Sequence, residues 1–109
     1  TNFEVGSQLG RKLAPVLARF YGHEGLQNIG EYYSQLGEFK AEVKGDEVQL
    51  EMVITECAES IGPLKIMEMM SFIFGELQGL TSELTKREVI LKEHRFEGEK
   101  LLLTFVPKT

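Results

Sequence analysis

Residues 62–80 read GPLKIMEMMSFIFGELQGL and hold three of the chain's four methionines, with two phenylalanines and two isoleucines. At about 100° per residue, Ile66, Met67, Met69, Met70, Ile73, Phe74, Leu77, Leu80 and Leu84 share one broad arc. Lys65, Glu68, Glu76 and Glu83 share the opposite side. Ser60 is placed to cap this helix and Pro63 suits its first turn, so the spacing predicts a helix to about Leu84. Methionine is unbranched and polarizable and adapts to irregular space. The arc therefore has two readings: plain core, or the deformable wall of a cavity for an apolar ligand.

A second stripe crosses the same helix. Ser71, Gly75 and Gly79 are four residues apart, and small side chains at that step let another backbone come close. Each glycine costs a helix interior about 1 kcal/mol relative to alanine, so a close helix–helix contact is expected to offset it. Gly6 and Gly10 offer a matching step near the N-terminus, which favours packing within the chain. Phe72, beside the stripe, belongs either under that first helix or in a homodimer interface.

Upstream, Leu9, Leu13, Val16, Leu17 and Phe20 recur at helical spacing, and Leu26, Ile29, Tyr33 and Leu36 resume it before Gly37. One bent or broken helical segment is expected from about Phe3 to Leu36, interrupted by Pro15 and by the bend at Tyr21–Gly25. Phe39, Ala41 and Val43 alternate with Lys40, Glu42 and Lys44, which predicts a half-buried strand. After the Gly45–Asp46 turn, Val48, Leu50, Met52 and Ile54 continue the alternation, completing a hairpin. Downstream, strands are expected over Glu88–Phe96 and Lys100–Val106, joined at Glu97–Gly98. The order helix, hairpin, helix, hairpin predicts an α+β fold: a four-stranded antiparallel sheet with helices on one face.

A chain of 109 residues is read as one domain. Its 42% hydrophobic and 27% charged composition suits a folded globular protein. A net charge of −5 without a basic cluster disfavours nucleic acid as a partner. The apolar run Ile61–Leu80 is interrupted by Lys65, Glu68 and Glu76, which argues against a membrane span. The single cysteine, Cys57, allows no internal disulfide, and a reducing cytoplasm is the expected compartment. The first residue is Thr1 rather than methionine, so an excised piece of a longer protein with a fused output domain is expected.

The helix–hairpin–helix–hairpin order, the step Gly75-Glu76-Leu77-Gln78-Gly79 ending a long apolar helix, and the hairpin segment Val89–Gly98 together resemble the 4-vinyl reductase domain, also called the hydrocarbon-binding domain. That fold is shared with Golgi transport-particle subunits and distantly linked to haem-based nitric oxide sensors. The resemblance covers about Val5 to Phe105. It implies a buried apolar pocket for a small hydrophobic molecule, often in a dimer and beside a DNA-binding or signalling domain. Many members hold a metal with cysteines at the start of the second helix and in the last hairpin. This chain has only Cys57, upstream of that helix, and His94 and Leu102 near the hairpin positions, so no metal or other cofactor is expected.

Catalytic signatures are sparse. Cys57 lies between Glu56 and Glu59, and flanking carboxylates oppose the lowered pKa a nucleophile needs. His94 is expected as an exposed strand residue, facing the same way as Lys92 and Phe96, and His23 as a turn residue. Glu38, Glu42, Glu47 and Glu51 alternate with apolar positions as a solvated sheet face does. Dinucleotide, P-loop, HExxH and CxxC motifs are absent. The reading is a binding module, with Met52, Met67, Met70, Ile73, Phe74, Leu77, Leu103 and Phe105 lining the ligand space and Ser71, Phe72, Gly75 and Gly79 forming a packing interface. The alternative is an assembly domain acting through homodimerisation or docking.

Overall fold

The computed structural model describes residues 1–21, 25–32, 39–53, 63–98 and 100–108. Helix α1 spans Asn2–Tyr21 and α2 spans Gln27–Tyr32. The hairpin β1 (Phe39–Lys44) and β2 (Glu47–Val53) follows, then α3 (Pro63–Thr85) and the hairpin β3 (Val89–Glu97) and β4 (Lys100–Pro107). The strands form one antiparallel sheet in the order β1-β2-β4-β3. The fold is the expected α+β arrangement, with the helices on one face of the sheet. Because β4 lies between β2 and β3 and opposes both, β2 and β3 run parallel, and α3 is the crossover that joins them. The expected cap at Ser60, the stop at Gly37, and Cys57 and His23 lie outside the described residues.

Helix α1 begins, and α3 ends, for a local reason. The Thr1 hydroxyl accepts a hydrogen bond from the Glu4 amide at 3.1 Å, the N-cap of α1. Pro15 lies exposed on α1, which continues through it to Tyr21. At the end of α3, Lys86 adopts a left-handed φ of 57°. The Arg87 amide then reaches the Ser82 carbonyl at 3.0 Å and the Lys86 amide the Glu83 carbonyl at 3.3 Å. This is a Schellman ending with lysine where glycine is usual. Gly45 and Gly98 supply the positive φ that opens each hairpin turn.

The two long helices meet through their small residues. A methyl group placed on Gly6 would overlap the Phe72 carbonyl, and one on Gly10 the Glu76 carbonyl. One on Gly75 would overlap the Phe3 carbonyl, and one on Gly79 the Ser7 carbonyl. Residue numbers rise together along both helices, so α1 and α3 run parallel in backbone contact. The buried side of α1 is Gly6, Gly10, Ala14 and Leu17. The larger residues expected in the core, Leu9, Val16 and Phe20, are displaced to the exposed side, with Phe20 78% exposed. Close approach favours the small-residue stripe over the bulky one, because only the former lets the two backbones touch.

Two further expectations are corrected here. Glu76, assigned to the polar side of α3, is only 3% exposed, since that side carries the stripe facing α1. Strand β1 is not half-buried: Ala41 is exposed and Val43 is 62% exposed. Gly30 of α2 packs on the Phe39 ring, where an added Cβ would meet Cδ1 at 2.7 Å. Cover from α2 therefore reaches the first residue of β1, while Ala41 and Val43 stay open.

Gly79→Ala is expected to destabilise the chain by about 2 kcal/mol or more in urea unfolding, because the helices must separate or lose register. Alanine's better helix propensity would otherwise stabilise by about 1 kcal/mol. A gain in stability would refute the backbone contact.

Candidate functional site: the helix-facing surface of the sheet

Strand register divides the sheet into a polar and an apolar face. On the outer face, Glu47 pairs with Lys92 and Glu51 with Lys100, each at 3.3 Å, in keeping with a solvated surface. On the helix-facing side, three rows cross the strands. Val43, Val48, Phe105 and Leu91 form the first, Ala41, Leu50, Leu103 and His94 the second, and Phe39, Met52, Leu101 and Phe96 the third. The centre of every row is buried, and Leu50, Leu101, Leu103 and Phe105 are fully so.

Helix α3 lies over these rows in a fixed direction. Its C-terminal half is fastened to β3, where Ser82 Oγ accepts from the Val89 amide at 3.1 Å. Gln78 Oε1 accepts from the Leu91 amide at 2.7 Å. These bonds satisfy amides at the start of an edge strand that would otherwise offer a pairing template. One turn earlier, the Phe74 ring lies 4.9 Å from the His94 ring, tilted by 41°. The N-terminal half of α3 is thus directed toward the third row.

Of the predicted ligand-lining residues, Met52, Phe74, Leu77, Leu103 and Phe105 converge in one buried cluster, with Met70 and Ile73 partly buried against it. Met67 falls on α3 in a turn whose side chains lie outside those described. Ser71 and Phe72 are half-buried, while Gly75 and Gly79 are covered by α1. At the margin of the cluster, Met69 is 46% and Phe96 56% exposed.

His94 is exposed, but it does not share a face with Lys92. The pairing shifts between Leu91 and Glu93: Leu91 opposes Phe105, and Glu93 opposes the very next residue, Thr104. This β-bulge adds one residue and re-aims everything after it.

Two surface concavities are lined by described residues. One, of about 130 Å³, sits between Ala14, Pro15 and Ala18 of α1 and Glu83, Leu84 and Lys86. The other, of about 40 Å³, lies on the outer face near Gln49, Arg95 and Thr104. Both are small beside ligand pockets of ~300 Å³ or more. Among the described residues no group of histidine, cysteine and carboxylate side chains is placed to hold a metal, and no helix is long and apolar enough to cross a membrane. No protein family profile and no characterised protein matches the sequence.

One charged cluster closes the α1 side. Arg11 forks onto Glu88 at 2.5 and 2.6 Å and reaches Glu83 at 3.3 Å. The hydrogen bond from Arg11 holds the Glu88 carboxyl below its usual range, and the same bond raises the Arg11 guanidinium further. A depressed carboxylate pKa stabilises above the unfolded-state value, and that contribution disappears as pH falls through the folded-state value. Glu88→Gln is therefore expected to be less stable than wild type at neutral pH, with the gap closing in acid as pH falls below the ordinary glutamate range and shrinking in high salt. Urea unfolding across pH checks this; a gap that persists in acid would refute it.

Proposed function

We propose that this chain is a small-molecule-binding domain, probing for apolar ligands at the end of the helix–sheet layer beneath Met70, Ile73 and Phe74. The observation that carries the reading is the third strand row. Its centre, Met52 and Leu101, is buried, while its β3 end, Phe96, is an exposed phenylalanine on the helix-facing side. Exposed apolar surface joined to a core is the kind of surface an apolar ligand would cover. The methionines at this end, Met52, Met69 and Met70, suit a wall that re-packs around varied shapes. The helix is hydrogen-bonded to β3 through Gln78 and Ser82 at its other end, and a ligand near Met70 would be accommodated by side-chain repacking.

The resemblance to hydrocarbon-binding domains points the same way, and with it a regulatory role in which a ligand repositions α3 and a fused domain or second copy reads the change. The single cysteine favours a reducing, cytoplasmic setting. The alternative, an assembly domain, draws on the outward side of α1, where Val5 is 56% and Val16 46% exposed; it leaves the Phe96 end of the sheet without a role.

A six-carbon apolar body gains roughly 0.8 kcal/mol per buried methylene, which corresponds to dissociation constants from about millimolar downward. Saturable amide NMR shifts are expected at residues 70–77, 50–52 and 101–105 when hexane is titrated into the chain. Shifts scattered over the α1 surface, or none, would contradict the reading.

A further inference from the structure

We infer that His94 is a polar subsite for the ligand head group, so that the preferred ligand is an apolar body ending in one hydroxyl or carboxylate. This inference rests on the binding site proposed above. Its starting point is the composition of the helix-facing surface. Valine, alanine, leucine, methionine, phenylalanine and the terminal Pro107 occupy every other register position on that face. Among the described residues, His94 is its one polar side chain.

The bulge puts it there. With unbroken alternation from Leu91, the next two residues on the helix-facing side would be Glu93 and Arg95. Two charged groups would then stand against Phe74 and the Leu101–Leu103 core, at a desolvation cost. The extra residue instead turns Glu93 toward the Thr104 side and Arg95 toward the Leu102 side, and delivers His94 opposite Leu103 and Phe96 opposite Leu101. A bulge that re-aims a side chain beside a site is a recurrent use of that irregularity.

The imidazole is also oriented. Its ring leans on Phe74 at 4.9 Å, a contact that holds one side of the ring while the residue as a whole stays exposed. No described residue takes up the ring nitrogens in a hydrogen bond. A neutral imidazole offers one donor and one acceptor, so it can meet a hydroxyl in either sense and can donate to a carboxylate. A hydrocarbon gains nothing from either. The position at an exposed edge strand leaves the head group in contact with water while the body lies against the exposed ring of Phe96, on the same face.

The test compares ligands that share a body and differ in the head: hexane, 1-hexanol and hexanoate, each titrated into wild-type chain, H94F and H94Q and followed by amide NMR shifts. H94F is expected to weaken 1-hexanol and hexanoate about tenfold, the size of one hydrogen bond, and to leave hexane within about twofold. H94Q, which keeps a donor and an acceptor, should retain most of the 1-hexanol affinity, and it serves as the informative variant should H94F fail to fold. The inference is overturned if hexane binds wild type and both variants leave all three affinities alike, or if H94F shifts the three by one common factor. If none of the three binds wild type, the proposed function itself falls and takes the inference with it.

Discussion

Two helices can touch backbone to backbone only where neither carries a side chain in the way. In this chain Gly6 and Gly10 on α1 lie against the Phe72 and Glu76 carbonyls of α3, and Gly75 and Gly79 against the Phe3 and Ser7 carbonyls of α1, and that contact settles most of the architecture. It fixes the relative direction of the helices as parallel and their rotation about their own axes. It also turns α3 into a helix covered on two sides, by α1 along the glycine stripe and by the sheet along Phe74, Leu77 and Leu80. Parallel macrodipoles repel slightly, and each glycine weakens its own helix. The dispersion gained by close-packed backbones, together with the Arg11 fork onto Glu88, opposes these costs.

A consequence is the uneven cover of the sheet. The buried part of the helix layer stands over β2 and β4, whose inward residues are fully enclosed, and the edge strands extend past it. Val43 on one edge and Phe96 on the other are apolar, helix-facing and open to water. On the β3 edge this openness meets the methionine-bearing half of α3 and a histidine delivered by a bulge. The same strand is pinned to α3 at Val89 and Leu91. One end of the helix–sheet contact is thus hydrogen-bonded, and toward the other Phe74, Ile73 and Met70 pack on the core.

Much of this was legible in the residues. Alternation in Val48–Met52 and Lys100–Val106 marked the central strands, and the turn glycines at 45 and 98 marked the hairpins. The four-residue glycine steps on both helices pointed to a close pair. Three features were not legible. The helical spacing of Leu9, Val16 and Phe20 suggested a core stripe, yet contact energy favoured the small residues, a comparison that needs both helices in place. Glu76 looked solvent-facing because a wheel shows one helix and not what packs on it. Face assignment on β3 failed at His94 because a single inserted residue reverses parity, and single-residue insertions leave little trace in a polar run. The described members of the predicted ligand-lining set lie in or against one core cluster because alternation and helical period are reliable there; a ligand's presence is a question of volume and dynamics, to which periodicity is blind.

Native-state hydrogen exchange across a denaturant series measures most directly whether the α1–α3 contact governs the fold. If it does, amides of residues 6–14 and 72–82 will open together with those of β2 and β4, at the free energy of global unfolding. Amides of α1 that open separately, well below that free energy and without disturbing α3, would show that the first helix is an accessory and that the sheet and α3 stand without it.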